Sequence, residues 1–249
     1  MWIIAARELR SLFLSPLAWS ILGAVQVICG WFFALQVYLF VQPNVQADLA
    51  MNPDAPGLTA MVVAFLFDWI GIVLLLVLPL LTMRLISEER RNNTLPLLLS
   101  APVSMTSIIL GKFLGMMGFF LILLTMLMLM PLSLLFGGSL DFGQIASGLL
   151  GAILFLGALT ALGLYISTLT AQPTVAAFST FAAFLLLWMF DWAEGVGEQN
   201  SVLSYLAITK HYQPLVKGLF STTDVIYYVL FIALFLILSI KRLDSDRLQ

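Results

Sequence analysis

The sequence is poor in charge and in cysteine, and these two shortages exclude most soluble proteins and any metal site built from several cysteines. Of its 249 residues, only 10% are charged and 61% are hydrophobic, whereas a soluble domain carries roughly 25% charged residues. The composition therefore predicts an integral membrane protein. A single cysteine, Cys29, excludes an intrachain disulfide and a cysteine-based metal site. The net charge of −2 predicts no nucleic-acid partner.

A phosphate-binding loop is also absent. The only Gly-Lys pair, Gly111-Lys112, is followed by Phe113, where the loop G-x-x-x-x-G-K-[ST] needs a hydroxyl that reaches magnesium. The chain is therefore predicted to obtain its energy from another subunit. We also predict no catalytic residue, metal or cofactor in this chain.

Six apolar stretches approach the roughly 20 residues that a transmembrane helix requires. They are residues 17–40, 60–83, 108–136, 145–169, 175–192 and 225–240. We predict one all-α membrane domain over residues 1–249 with six transmembrane helices. The segment 2–14 mixes charged and apolar residues and is predicted to be an interfacial helix.

The segment 193–224 is too polar to cross a membrane but holds two short apolar pieces, 202–208 and 215–220. Pieces of that length predict re-entrant or interfacial helices before the last span. We expect the segment to form an outer lid, covered through Leu215 and Leu219 by a second copy, the interface or a periplasmic protein.

Lysine and arginine predict the orientation, because they concentrate on the cytoplasmic side. With six spans, nine of the 11 fall on the side of the termini, and only Lys210 and Lys217 on the other. Both termini are therefore predicted to be cytoplasmic.

The loop after the second stretch is the most informative part of the sequence. Ser87 is predicted to cap a helix whose first turn holds Glu88 and Glu89, and Thr94 to cap a second, very short helix that ends near Pro102. That second helix presents a cluster of leucines. The cluster indicates either docking into a groove of a soluble partner or burial in the lipid interface.

The residues 82–91, 94–104 and 109–112 resemble the signature of ABC type-2 transporter permeases, most closely the gliding-motility and nitrous-oxide-reductase-accessory branch. The start of the chain, residues 217–228 and the basic tail are similar to the same family. Two positions depart from its pattern: Asn93 stands where the family has glycine, and Pro96 where it has glutamate. Asparagine tolerates the left-handed conformation, so the turn is expected to persist.

The resemblance implies a homodimer in a bacterial inner membrane, six helices per protomer, and a coupling helix seated on an ABC ATPase. Two copies of that ATPase would bind ATP and magnesium, and a periplasmic auxiliary protein is a further candidate partner. The implied role is export of a substrate or transmission of force. The implied ATPase-coupling residues are Glu88, Glu89, Arg90, Thr94, Leu95, Leu97 and Leu98.

Three residues within the apolar stretches are candidates for a pathway or a dimer contact: Asp68, Gly111 and Gly115. For Asp68 the alternative is a carboxylate that reaches the outer interface. The methionines of 116–130 suit either copper(I) or plain packing. The lone histidine, His211, has no second ligand nearby in the sequence.

Two other function classes are open at this stage. A membrane scaffold would anchor partners without an ATP-driven cycle. An intramembrane enzyme would need a nucleophile, an acid–base pair or a metal set at membrane depth, where Asp68 is the only acid well inside a stretch.

Overall fold

The computed structural model describes residues 1–52, 56–96, 103–136, 139–195 and 207–247, with the backbone alone for 190–195. Within these ranges the regular structure is helical and contains no strand, as predicted. The helices are α1 (Trp2–Leu14), α2 (Pro16–Val41), α3 (Pro43–Met51), α4 (Ala64–Thr82, after a π-helical turn at Thr59–Val63), α5 (Ser87–Arg91), α6 (Met105–Leu132, followed by a 3-10 turn at Ser133–Phe136), α7 (Phe142–Leu169), α8 (Pro173–Gly195), α9 (Ile208–Val216) and α10 (Thr222–Arg247).

Among the described residues, five helices are long and apolar enough to cross a membrane: α2, α4 with its π-helical turn, α6, α7 and α10. They coincide with five of the six predicted stretches. The remaining stretch, 175–192, falls in α8, where Pro173–Met189 forms a shorter apolar helix. That α8 also crosses stays a prediction.

The outer helix that the structure describes differs from its prediction. We expected helices at the apolar pieces 202–208 and 215–220, but the observed helix α9 covers the polar stretch between them. Most of 202–208 lies outside the described residues. The buried residues of α9 repeat at helical spacing, so amphipathic packing rather than a continuous apolar run forms this helix. They are Ile208, His211, Tyr212, Leu215 and Val216.

Helix α7 is the centre of the bundle, and its glycines allow α4 to approach at both ends. A Cβ atom on Gly148 would lie 2.6 Å from Phe67 Cε2, and one on Gly163 would lie 2.5 Å from Thr82 Oγ1. Real Cβ atoms do not come that close, so larger residues at these positions would force the helices apart.

The helix ends collect at two faces of the bundle. The terminal face holds α1, α5, the start of α6 and the end of α10, joined by ion pairs between these elements. The opposite face holds α9 and the starts of α7 and α10; there Gln144 of α7 donates a hydrogen bond to the carbonyl of Val216.

Candidate functional site

The start of α5 is held by a side chain from another helix. The amides of Ile86 and Ser87 both donate to Ser167 Oγ of α7 at 3.0 Å, and Ser167 donates in turn to the Met83 carbonyl at 3.1 Å. Ser87 is buried and donates its own hydroxyl to Met83. The prediction that Ser87 caps α5 was therefore wrong, because Ser167 satisfies the free amides of this helix end.

The end of α5 is closed by the residue that departs from the family pattern. Asn93 has φ = 56°, and its amide donates to the Arg90 carbonyl at 3.2 Å. The next amide, of Thr94, donates to the Glu89 carbonyl at 3.0 Å. These two bonds form a Schellman motif with Asn93 in the left-handed position that glycine usually occupies. The expected left-handed turn is confirmed.

Arg90 points into the bundle. Its guanidinium donates to the Thr168 carbonyl of α7 at 3.0 Å and forms an ion pair with Asp246 near the end of α10. Arg242 lies 3.8 Å from the same carboxylate, measured to its other oxygen. Arg90 thus ties α5 to two long helices, and its contact with an ATPase stays a prediction.

Glu89 also has partners within the chain, in what we call the ion cluster: Arg7, Glu8, Glu89 and Lys112. Lys112 is only 2% exposed, and its Nζ lies 2.8 Å from Glu89 Oε1 and 3.3 Å from Glu8 Oε2. Arg7 Nη2 is 3.7 Å from Glu89 Oε1. The cluster joins α1, α5 and α6. The charges of Glu8, Glu89 and Lys112 are largely removed from solvent, whereas the side chain of Arg7 is 58% exposed.

The two candidate glycines, Gly111 and Gly115, explain why α1 lies so close to α6. A Cβ on Gly111 would lie 2.8 Å from Ile4 Cβ, and one on Gly115 would lie 2.7 Å from Glu8 Cβ. In the protomer this glycine face is thus covered by α1. A dimer contact there stays a prediction and would require α1 to move aside.

A polar cavity of about 350 Å³ opens beside the ion cluster, between α1, α5 and the start of α6. Its charged lining is balanced, with three cations and three carboxylates: Arg7, Arg84, Lys112, Glu8, Glu88 and Glu89. Thr94 lines it and is exposed, whereas Leu95 is buried. The predicted Leu97 and Leu98 lie outside the described residues.

The opposite face carries a second set of polar groups. Gln213 Nε2 of α9 donates to Asp68 Oδ1 at 3.0 Å, so Asp68 pairs within the chain. His211 Nδ1 lies 2.6 Å from Asp224 Oδ1, and both side chains are buried. The sequence predicted neither pair. Helical spacing in α9 would have placed His211 on its buried face, but its partner lies in the first turn of another helix.

Nothing in the described part of the chain gathers three or more histidine, cysteine or acidic side chains where they could hold a metal ion. The methionines of α6 differ in environment, since Met116 is buried and Met126 is 42% exposed. They therefore lie on different faces of the helix.

The family model of the ABC-2 family transporter proteins matches residues 2–247, which is nearly the whole chain. No curated protein matches it.

Proposed function

The chain belongs to the ABC-2 transporter family, and we propose on that premise that it is a permease subunit driven by a separate ABC ATPase. ATP binding would close two copies of the ATPase, and the displacement would enter this chain through α5. The outcome is export of a substrate or transmission of force across a bacterial inner membrane. The gliding-motility and nitrous-oxide-reductase-accessory branch is the finer assignment that we propose.

One observation carries this proposal: α5 is attached to the bundle at both of its ends. Its start is held by Ser167 and its end by Arg90, through Thr168 and Asp246. A five-residue helix cannot hold its shape alone, so these bonds make it move together with α7 and α10. Exposed Asn92 and Thr94 follow directly and offer a contact surface.

The path of the chain supports six spans. Helix α7 ends at the terminal face beside α5, and α9 lies at the opposite face. Helix α8 connects them and contacts both α5 and α9. It therefore has the reach of a crossing helix, with Pro173–Met189 as its apolar part.

The burial of the helices supports a homodimer. Only 11% of the most apolar stretch of α2 is buried in the protomer, whereas 67% of the corresponding stretch of α7 is buried. Helix α2 therefore offers an apolar surface on which a second copy would pack in the proposed homodimer, and lipid would cover the remainder.

We predict that the terminal face is cytoplasmic. The test uses Asn92→Cys and Leu219→Cys, two exposed positions on opposite faces, each in a Cys29→Ala background. An impermeant thiol reagent added to intact spheroplasts should label position 219 and spare position 92 until the membrane is opened. Labelling of position 92 alone would reverse the orientation.

The ATPase contact is tested by Glu88→Arg. Glu88 lines the cavity beside α5 and has no ion pair among the described residues, so its reversal should leave the fold intact. We expect the amount of ABC ATPase that co-purifies with the tagged chain, and its hydrolysis rate, to fall about tenfold. Asp244→Arg, at an exposed position near the end of α10 on the same face, makes the same charge change and is the control.

The same purification separates the rival functions. An ATPase that binds but is not stimulated by this chain would favour a scaffold. Equal binding by the Glu88→Arg variant and the unmodified chain would show that α5 is not the coupling element.

A further inference from the structure

We infer that α9 connects the far ends of the helices that hold α5, so that a displacement of α5 reaches the opposite face through α4, α7 and α10. The inference rests on the proposed function only for the source of the movement. The connection itself is a property of this chain.

Helix α9 is bound to α4 by two directed hydrogen bonds. The Tyr212 hydroxyl donates to the Phe67 carbonyl at 2.8 Å, and Gln213 donates to Asp68 at 3.0 Å. Burial raises the pKa of Tyr212 well above its usual value, so the hydroxyl keeps the proton that it donates.

Helix α9 also lies directly on α7. A Cβ on Gly151 would be 2.9 Å from Leu215 Cβ, so the two backbones are as close as side chains permit. The rings of Phe155 and Tyr212 stack at 5.0 Å. Gln144 donates to the Val216 carbonyl at 3.3 Å and fixes the end of α9.

The third attachment is to α10. His211 pairs with Asp224 at 2.6 Å, and its ring stacks on Tyr227 with the centroids 4.0 Å apart. The Tyr228 hydroxyl donates to the Ile208 carbonyl at the start of α9, also at 2.6 Å. Both ends of α9 are therefore bonded, like both ends of α5.

The same three helices converge on α5 at the terminal face. Helix α4 leads into it through the turn after Thr82, α7 supplies Ser167 and Thr168, and α10 supplies Asp246. Helix α7 has 28 residues and α10 has 26, which corresponds to about 42 and 39 Å. Shifts of packed helices are among the movements by which proteins switch between two states.

The bonds to α9 differ from ordinary apolar packing in one respect. Apolar side chains can slide past one another and stay in contact. A buried hydroxyl or carboxylate that loses its hydrogen-bond partner instead lowers the stability of the fold. The contacts of α9 thus favour one arrangement of α4, α7 and α10. Moving these helices at one face should strain or release α9 at the other.

In the test, a substitution is made at one face and the thiol labelling rate is measured at the other. It uses the purified full-length chain in lipid nanodiscs without any ATPase. Tyr212→Phe removes one hydroxyl from α9, and the reporter is the thiol labelling rate of Asn92→Cys. Ser167→Ala removes the cap of α5, and the reporter is Leu219→Cys. Both pairs are made in the Cys29→Ala background, and each rate should change at least about threefold.

Two variants serve as matched controls. Ser133→Ala removes a hydroxyl bond to the Met130 carbonyl at the end of α6, which involves none of the helices in the inference. Ser245→Ala removes a hydroxyl bond within α10 at the terminal face. Both should leave the distant reporter within about 1.5-fold of the parent rate.

Distant changes no larger than those of the controls would overturn the inference. If Tyr212→Phe expresses poorly, Gln213→Leu, which removes the bond to Asp68, takes its place. Because no ATPase is present, a failure here leaves the proposed function untouched, and a chain that binds no ATPase can still pass this test.

Discussion

Replacing Lys112 with methionine should destabilise the folded chain by about 3–5 kcal/mol. Lys112 is 2% exposed and lies between the carboxylates of Glu8 and Glu89. Methionine fills a similar volume but leaves two carboxylates, only 16% and 21% exposed, without the cation that lies between them. Removing one partner of a buried ion pair costs more than the pair contributes, because the remaining charge stays buried.

The stability lost in the Lys112→Met variant should be recovered when the carboxylates of Glu8 and Glu89 are neutralised. We expect Glu8→Gln with Glu89→Gln, combined with Lys112→Met, to restore most of the free energy of unfolding measured in mixed micelles. Lys241→Met, at an exposed position, is the control and should change it by less than about 0.5 kcal/mol. A Lys112→Met variant as stable as this control would show that the ion cluster does not hold α1 and α5 together.

The long helices were predictable because each is an apolar stretch of the length that a bilayer requires. Helix α2 was expected at residues 17–40 and lies at Pro16–Val41. The last helix was expected to end at 240 and continues to Arg247. Hydropathy marks where lipid ends, whereas the helix itself continues into its charged final turns.

The contacts of α5 were not predictable, because they come from residues distant in the chain. Its cap, Ser167, is 80 residues from Ser87. Glu89 and Arg90 lie in a polar loop and were expected to couple to an ATPase, but the packing of other helices brings Lys112 and Asp246 to them. Charge in a sequence shows that a partner is needed and does not say where it lies.

Helix α9 is marked in the sequence by helical spacing and not by an apolar run. Its buried residues follow the spacing i, i+3, i+4, i+7 and i+8 from Ile208, the pattern of an amphipathic helix. The same spacing places Leu215, but not Leu219, on the buried face of α9, although both were assigned to the outer lid. Leu215 is fully buried, whereas Leu219 is 65% exposed.

Leu215→Glu should therefore destabilise the chain by about 4 kcal/mol, and Leu219→Glu by less than about 0.5 kcal/mol. At position 215 the carboxylate would replace an apolar side chain that is fully buried against Gly151 of α7, so a charge would be removed from solvent. At position 219 it remains at the surface. Unfolding of each single variant in mixed micelles measures the difference.

The outcome decides how the outer lid can be tested. The sequence alone would suggest combining Leu215→Glu with Leu219→Glu. That double variant would lose function because Leu215→Glu destabilises the fold, so it would not test the lid. Leu219→Glu keeps the fold, so a loss of cellular function with ATPase binding intact would indicate that an apolar contact at Leu219 is required at the opposite face. If instead Leu215→Glu proved as stable as Leu219→Glu, α9 would not be packed against α7, and its connection to α5 through that helix would fail with it.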